Sequence, residues 1–173
     1  MNLANEHKAI IAALDNYRHL LDQIPDEQFN VTPPLGGWSY AEVYSHIMQV
    51  SLASYVAAER CCNKTGVSTA KGLNWTGAMV FLLGRFPGKR KTPETVANLT
   101  KNITKEEARN LIIKMRKRLD DIWPTVYNAP NDYKISHPSL GMLNAKQWLK
   151  FIRIHLQHHV KQLNRIKNSF PQG

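Results

Sequence analysis

Two histidines, His155 and His159, stand four residues apart in the run HLQHHVKQLNRI, close to the end of a 173-residue chain. On a helix this spacing projects both imidazoles from one side, about 6 Å apart, which lets them share one metal ion. His158, three residues after His155, is an alternative member of the pair. Trp148, Ile152, Leu156, Leu163 and Ile166 mark the inward side of the segment, and His155 and His159 fall on or beside it. Arg153, Gln157, Lys161 and Asn164 point elsewhere. A third imidazole, His46, belongs to the inward stripe of an earlier segment, with Val43, Ile47, Val50 and Ser54. A single inward histidine is more often a core side chain than a ligand, but two at ligand spacing with a third available make metal binding an equal contender. Three neutral imidazoles plus water suit zinc, nickel or ferrous iron, and three protein ligands leave a coordination position open for chemistry.

The elements that must carry these residues are helices. Leu3, Ile10, Leu14, Leu21 and Ile24, widened by Ile11, Tyr17 and Leu20, predict a first helix over residues 3 to 24, closed by Pro25. The stretch DEQFNVTPPLGG is a loop. It ends at Ser39 with Glu42 three residues on, a capping box that starts a second helix running from about Tyr40 to Cys62. From Lys64 to Thr104 glycines and prolines break the pattern, and only GAMVFLLGRF reads as one or two helical turns. Thr104 with Glu107 repeats the capping box, and Ala108, Leu111, Ile112, Met115 and Leu119 predict a third helix ending near Trp123-Pro124. The stretch NAPNDYKISHPSLGML reads as a loop. Asn144, with Gln147 at the third helical position, then opens a fourth helix that continues to about Ile166. No segment alternates long enough to predict a strand. The expected fold is all-α, a single-domain four-helix bundle over residues 1 to 173 with a long connection between the second and third helices.

Composition narrows the classes of function. An apolar fraction of 43% and a charged fraction of 21% suit one domain with its own core rather than a disordered chain. No run reaches the roughly 18 apolar residues a membrane span needs, and the charged start MNLANEHKAI is unlike a secretory signal, so the expected location is the cytoplasm. Cys61 and Cys62 are adjacent, about four helical turns or some 22 Å from His46 if both lie on one helix, and read as reduced thiols rather than ligands. The net charge of +10 invites a nucleic-acid reading, with basic residues around Lys89, Arg90 and Lys91, then Lys114, Arg116, Lys117 and Arg118, and again Lys161, Arg165 and Lys167. No helix-turn-helix with a basic recognition helix accompanies it, nor aromatic residues interleaved with basic ones, so a solvated basic surface is the simpler account. Phosphate-binding glycine loops, the serine nucleophile elbow and a paired inward carboxylate are all missing from the sequence.

The segments GGWSYAEVYSHIMQV, HPSLGML and HLQHHVKQLNRI together resemble the DinB-like superfamily, the DinB/YfiT-like four-helix-bundle metalloenzymes, from about Trp38 to Ile166. The specific part is one histidine in the second helix and an H-x-x-x-H pair in the last. The resemblance implies that His46, His155 and His159 ligate a divalent metal, nickel or zinc first, iron or manganese next. It makes His158 an additional histidine beside the last ligand, in the second shell or on the surface. Gln162, one turn past His159, is either a hydrogen-bond partner of a ligand imidazole or a solvated side chain, and Gln49, one turn past His46, has the same two readings. His137, in an HP-x-x-G segment, is placed to cap or gate the site, although a loop histidine before proline is commonly structural. Trp38 sits where a hydrophobic staple onto the second helix would, with a wall of the pocket as its other reading. Tyr44 and Tyr55 read as packing.

For function the resemblance implies a metal-dependent enzyme. Relatives include transferases and isomerases that use a low-molecular-weight thiol such as bacillithiol, mycothiol or glutathione, whose thiol pKa the metal lowers. It also implies a small-molecule substrate and a homodimer. The alternative is a non-catalytic basic bundle, a stress-response or nucleic-acid-binding protein in which the histidines are merely buried.

Overall fold

The structure is a computed structural model that describes residues 2–87 and 102–171. The basic run Lys89, Arg90 and Lys91 lies outside the described residues. Six helices and three short strands occur among them. They are α1 (Leu3–Gln23), α2 (Asp26–Phe29), α3 (Tyr40–Cys62), β1 (Val67–Ser68), α4 (Trp75–Leu83), α5 (Lys105–Tyr127), β2 (Tyr133–His137), β3 (Gly141–Leu143) and α6 (Ala145–Lys167). The four long helices are those the apolar periodicity predicts, and their starts are fixed by side chains. Ser39 Oγ accepts from the Glu42 amide while Glu42 Oε2 accepts from the Ser39 amide, at 3.2 and 2.8 Å. Thr104 with Glu107 and Asn144 with Gln147 form the same reciprocal pair. Each box satisfies amides that the first helical turn leaves without a carbonyl.

Round the bundle the neighbours run α1, α5, α3, α6: both α1 and α3 pack on α5 and on α6. Helices α1 and α3, consecutive among the long ones, therefore lie diagonally opposite, which only a crossover connection permits. The diagonal is bridged in the centre by Tyr17 and Tyr44, whose rings meet edge to face. The core between the helices includes Ile10, Leu14, Ile47, Met48, Met115, Leu119, Leu149 and Leu156, all fully buried. Cations of α5 tie it to its neighbours, Arg109 to Asp22 at 2.9 Å, Arg116 to Asp15, and Arg118 to Glu59. Such exposed pairs contribute about 0–1 kcal/mol each and mainly order the surface.

Three readings of the sequence need correction. The stretch expected to be a loop before the last helix contains the hairpin β2–β3, with Ile135 opposite Leu143 and His137 opposite Gly141, and β1 adds to its other edge. These strands are two to five residues long, too short to show a period, and the turn between β2 and β3 packs closely on the backbone of residues 72–77, where α4 begins. Gly141, at φ +91°, passes so close that a Cβ would stand 2.6 Å from the Asn74 nitrogen and the Gly72 oxygen, and a Cβ on Gly77 would meet the Leu140 carbonyl at 2.2 Å. Helix α5 does not stop at Trp123-Pro124 but runs on to Tyr127. Buried Ile122 and Val126 hold the last turn to the core, and Thr125 Oγ1 donates to the Ile122 carbonyl at 2.7 Å, so the missing proline amide is tolerated near the helix end. Finally, the expected one or two turns after Gly77 form a nine-residue helix that starts at Trp75, capped by Asn74.

Candidate metal centre

His46 lies two turns into α3, whose frame the Ser39 box sets, and His155 and His159 lie in the middle of α6. Their helices pack face to face, so the inward stripe of each delivers its imidazoles to the same point. Ring centroids are 5.2 Å apart for His46 and His155, 5.0 Å for His46 and His159, and 4.5 Å for His155 and His159. One nitrogen from each ring can be chosen so that all three lie within 4.8 Å of one another. The three side chains are 4, 7 and 6% exposed.

The hydrogen bonds fix part of the protonation. Gln162 Oε1 lies 2.7 Å from His159 Nδ1; an amide oxygen has no proton, so Nδ1–H is the donor and Nε2 of His159 carries a bare lone pair. That lone pair faces His155 Nε2 at 3.1 Å. Burial holds all three rings neutral. It pushes His46 down to about 4, helped by the charge of His158. It pushes His159 down to about 3, with His46, His158 and Arg165 adding to the shift and the Gln162 bond opposing it. His155 is held well below the ordinary histidine range, first by burial and then by the neighbouring histidines. No carboxylate contributes to any of these shifts.

Neutral imidazoles are the protonation state that ligation needs. Nitrogens bound to a common ion at about 2.0–2.1 Å stand about 2.9–3.4 Å apart in octahedral or tetrahedral sites, and the observed 3.1 Å lies inside that interval. Two further nitrogens, His46 Nδ1 and His155 Nδ1, are buried with no hydrogen-bond partner among the described residues. The donor set therefore fits a divalent metal ion.

Aromatic rings enclose the cluster. Trp38 rests on His46 at 4.9 Å, so the residue just before the α3 cap walls the site. Phe151 stacks on His155 at 5.4 Å and 22°, and Phe86 stands edge-on to His155 at 6.4 Å and to His158 at 5.2 Å. His158 is half-buried beside His159, not within the group of three. His137 is not within the group of three; it packs on Phe151 and Trp148 at 4.5 and 5.4 Å with Nδ1 accepting the Ser139 amide at 3.0 Å. Burial depresses it to about 4. Gln49 turns back to donate to Ser45 Oγ at 2.8 Å. Tyr44 and Tyr55 are packed in the core. Cys61, its thiol directed to the Leu143 carbonyl at 3.6 Å, and Cys62 are free thiols. Sequence reasoning missed Phe86 and Phe151. Phe151 carried a signal, four residues before His155 on the same helical face, whereas Phe86 follows the end of α4 and had none.

Comparison with solved structures places the fold. TT2238, a four-helix bundle protein, is 19% identical with a TM-score of 0.60, covering 94% of this chain and 98% of that one. YfiT from Bacillus subtilis, a probable metal-dependent hydrolase with an unusual four-helix bundle topology, is 14% identical with a TM-score of 0.64, covering 96% and 86%. The mycothiol-dependent maleylpyruvate isomerase is 14% identical with a TM-score of 0.65; 94% of this chain aligns to it and spans 61% of its length. No curated protein matches the sequence. Residues 9–163 match the family model of the DinB superfamily, so the chain belongs to the DinB superfamily.

Proposed function

We propose that the protein is a divalent-metal-dependent enzyme in which His46, His155 and His159 hold the ion, and that its reaction is the transfer of a group to or from a low-molecular-weight thiol. The observation that carries this reading is the convergence of three buried, neutral imidazoles from two helices within 4.8 Å, with the second nitrogen of His159 bonded to Gln162. When bound, such an ion supplies positive charge that favours a thiolate, or a hydroxide in a hydrolytic variant, at neutral pH. The chain supplies the rest. Gln162 fixes the His159 ring and its tautomer. Trp38, Phe86 and Phe151 surround the cluster with apolar surface, which lowers the local dielectric and strengthens charge stabilisation. Nickel and zinc suit the three imidazoles first, with iron and manganese after them.

Elemental analysis of protein purified without a metal-affinity tag tests the reading, comparing wild type with His46→Ala and His159→Ala. Near-stoichiometric metal in wild type and its loss in both variants is the expected result. No metal in wild type, even after incubation with zinc or nickel, would leave a basic helical bundle without an enzymatic centre. No helix among the described residues is long and apolar enough to cross a membrane. The same reading takes the enzyme as a cytoplasmic homodimer, which cell fractionation and sedimentation velocity measure.

A further inference from the structure

Helix α4 carries a single polar side chain, Thr76, in its run WTGAMVFLL. Its buried residues, Gly77 and Val80, face the protein, where a Cβ on Gly77 would meet the Leu140 carbonyl. Trp75, Ala78 and Leu82, at i, i+3 and i+7, share the opposite face. That face is open: Trp75 is 81% and Leu82 82% exposed, with Leu83 beside them and Val67 of β1 also exposed. A surface helix ordinarily turns polar residues outward, and a contiguous exposed apolar surface marks a site of interaction. Cations border it. Lys71 stands four residues before Trp75 and Arg85 two after Leu83, both exposed. Lys150 of α6 holds its ammonium 5.4 Å from the centre of the Phe81 ring. Lys134, opposite Val67 in the β1–β2 pair, donates to the Lys71 carbonyl at 2.6 Å. Residues 60–87 and 133–171, which build α4, the strands and α6, contain no Asp or Glu at all. Glu6 of α1 reaches this side, and it is bonded to Arg153, whose guanidinium lies by Gly84 at the end of α4. An apolar centre in a basic rim without free acids complements a surface that is anionic outside and apolar beneath. A second copy of the chain would instead set cations against cations across a two-fold contact.

We propose that the outward face of α4 docks the protein on an anionic lipid bilayer. Trp75 and Leu82 enter the boundary between headgroups and acyl chains, while Lys71, Arg85 and Lys150 meet the lipid phosphates. Unlike a free amphipathic anchor, α4 has its other apolar face buried in the protein already, so no helix has to be ordered on binding. The inference does not depend on the metal centre.

The test uses the full-length protein and phosphatidylcholine vesicles with or without phosphatidylglycerol. Binding is read by co-flotation and by tryptophan emission, since Trp75 is the exposed one of the four tryptophans. Wild type is expected to bind the anionic vesicles at least about tenfold more tightly than the neutral ones, with a blue shift that Trp75→Phe removes. Leu82→Gln and Lys71→Gln/Arg85→Gln, at exposed positions whose change leaves the core intact, should each weaken binding about tenfold or more. Lys114→Gln/Lys117→Gln, which removes the same charge from the exposed side of α5, should leave binding unchanged. Equal loss in that control overturns the proposal, because the attraction would then belong to the net charge and not to α4. Equal binding to both kinds of vesicle, or binding to neither, overturns it as well. In the latter case a dimer that Leu82→Gln dissolves in sedimentation velocity would give the face to a second copy.

Discussion

At the Tyr17–Tyr44 diagonal every buried hydroxyl is bonded. Tyr17 donates to the Leu156 carbonyl at 2.7 Å and Tyr44 to the Tyr17 carbonyl at 2.8 Å, with burial raising both phenol pKa values. One residue along α6 from Leu156, His155 keeps Nδ1 buried and unbonded, as does His46 across from it. Both regions place polar groups in the same core, but the first closes its hydrogen bonds within the protein and the second does not. A satisfied buried group fastens helices together, whereas an unsatisfied one lowers stability. Ser51 Oγ, Tyr55 OH and Trp148 Nε1 also lack partners, and none of them belongs to the histidine group that could hold an ion.

The comparison can be broken most sharply at Gln162. Gln162→Leu removes the bond to His159 Nδ1 without touching a ligand and is expected to weaken metal affinity about 10- to 100-fold in a competition titration against a chelator. Tyr17→Phe, in the satisfied region, should leave that affinity unchanged. Equal effects of the two substitutions would erase the difference between the regions.

Acid separates them next. The folded-state values of His46 and His159, about 4 and about 3, lie below the unfolded value of 6.5, so in metal-free protein the unfolded chain binds more protons as pH falls. Stability is therefore fully present above pH 6.5 and is lost as pH drops from 6.5 through 4 towards 3. The slope is about 1.4 kcal/mol per pH unit for each histidine that takes up a proton on unfolding. Urea unfolding across this range, repeated on His46→Leu, should show a shallower loss in the variant.

The smallest effect has the more telling sign. His155→Leu should raise the unfolding free energy of metal-free protein by about 1 kcal/mol, because an unbonded buried nitrogen is replaced by apolar surface, while abolishing metal uptake. Tyr17→Phe should instead cost about 1 kcal/mol. A destabilised His155→Leu would mean that the imidazole holds the core together, as the tyrosines do.

The four long helices were legible in the residues because each combines a side-chain cap with a sustained apolar stripe, and both signals are local. The α3 boundaries from Tyr40 to Cys62 agree at both ends with the sequence expectation. The histidine pair on α6 was legible for the same reason, since i and i+4 share a face whatever surrounds the helix. The hairpin was not, because strands of three and five residues are too short to show a period, and the close backbone approaches at Gly141 and Gly77 involve residues far apart in the chain. Phe86 against the cluster and Gln49 turned towards Ser45 were likewise beyond local spacing, which gives a face but not a rotamer or a neighbour.

What the sequence by itself determined is which residues form helices and which imidazoles face inward, because periodicity and capping act within a few residues. Only the tertiary structure decided that α1 and α3 stand on a diagonal, and that His46 therefore meets His155 and His159 across the α3–α6 contact. It also decided that Gln162 rather than Gln49 bonds an imidazole of the cluster. These depend on which helix faces meet, and that choice is made by the summed packing of the whole core rather than by any one segment.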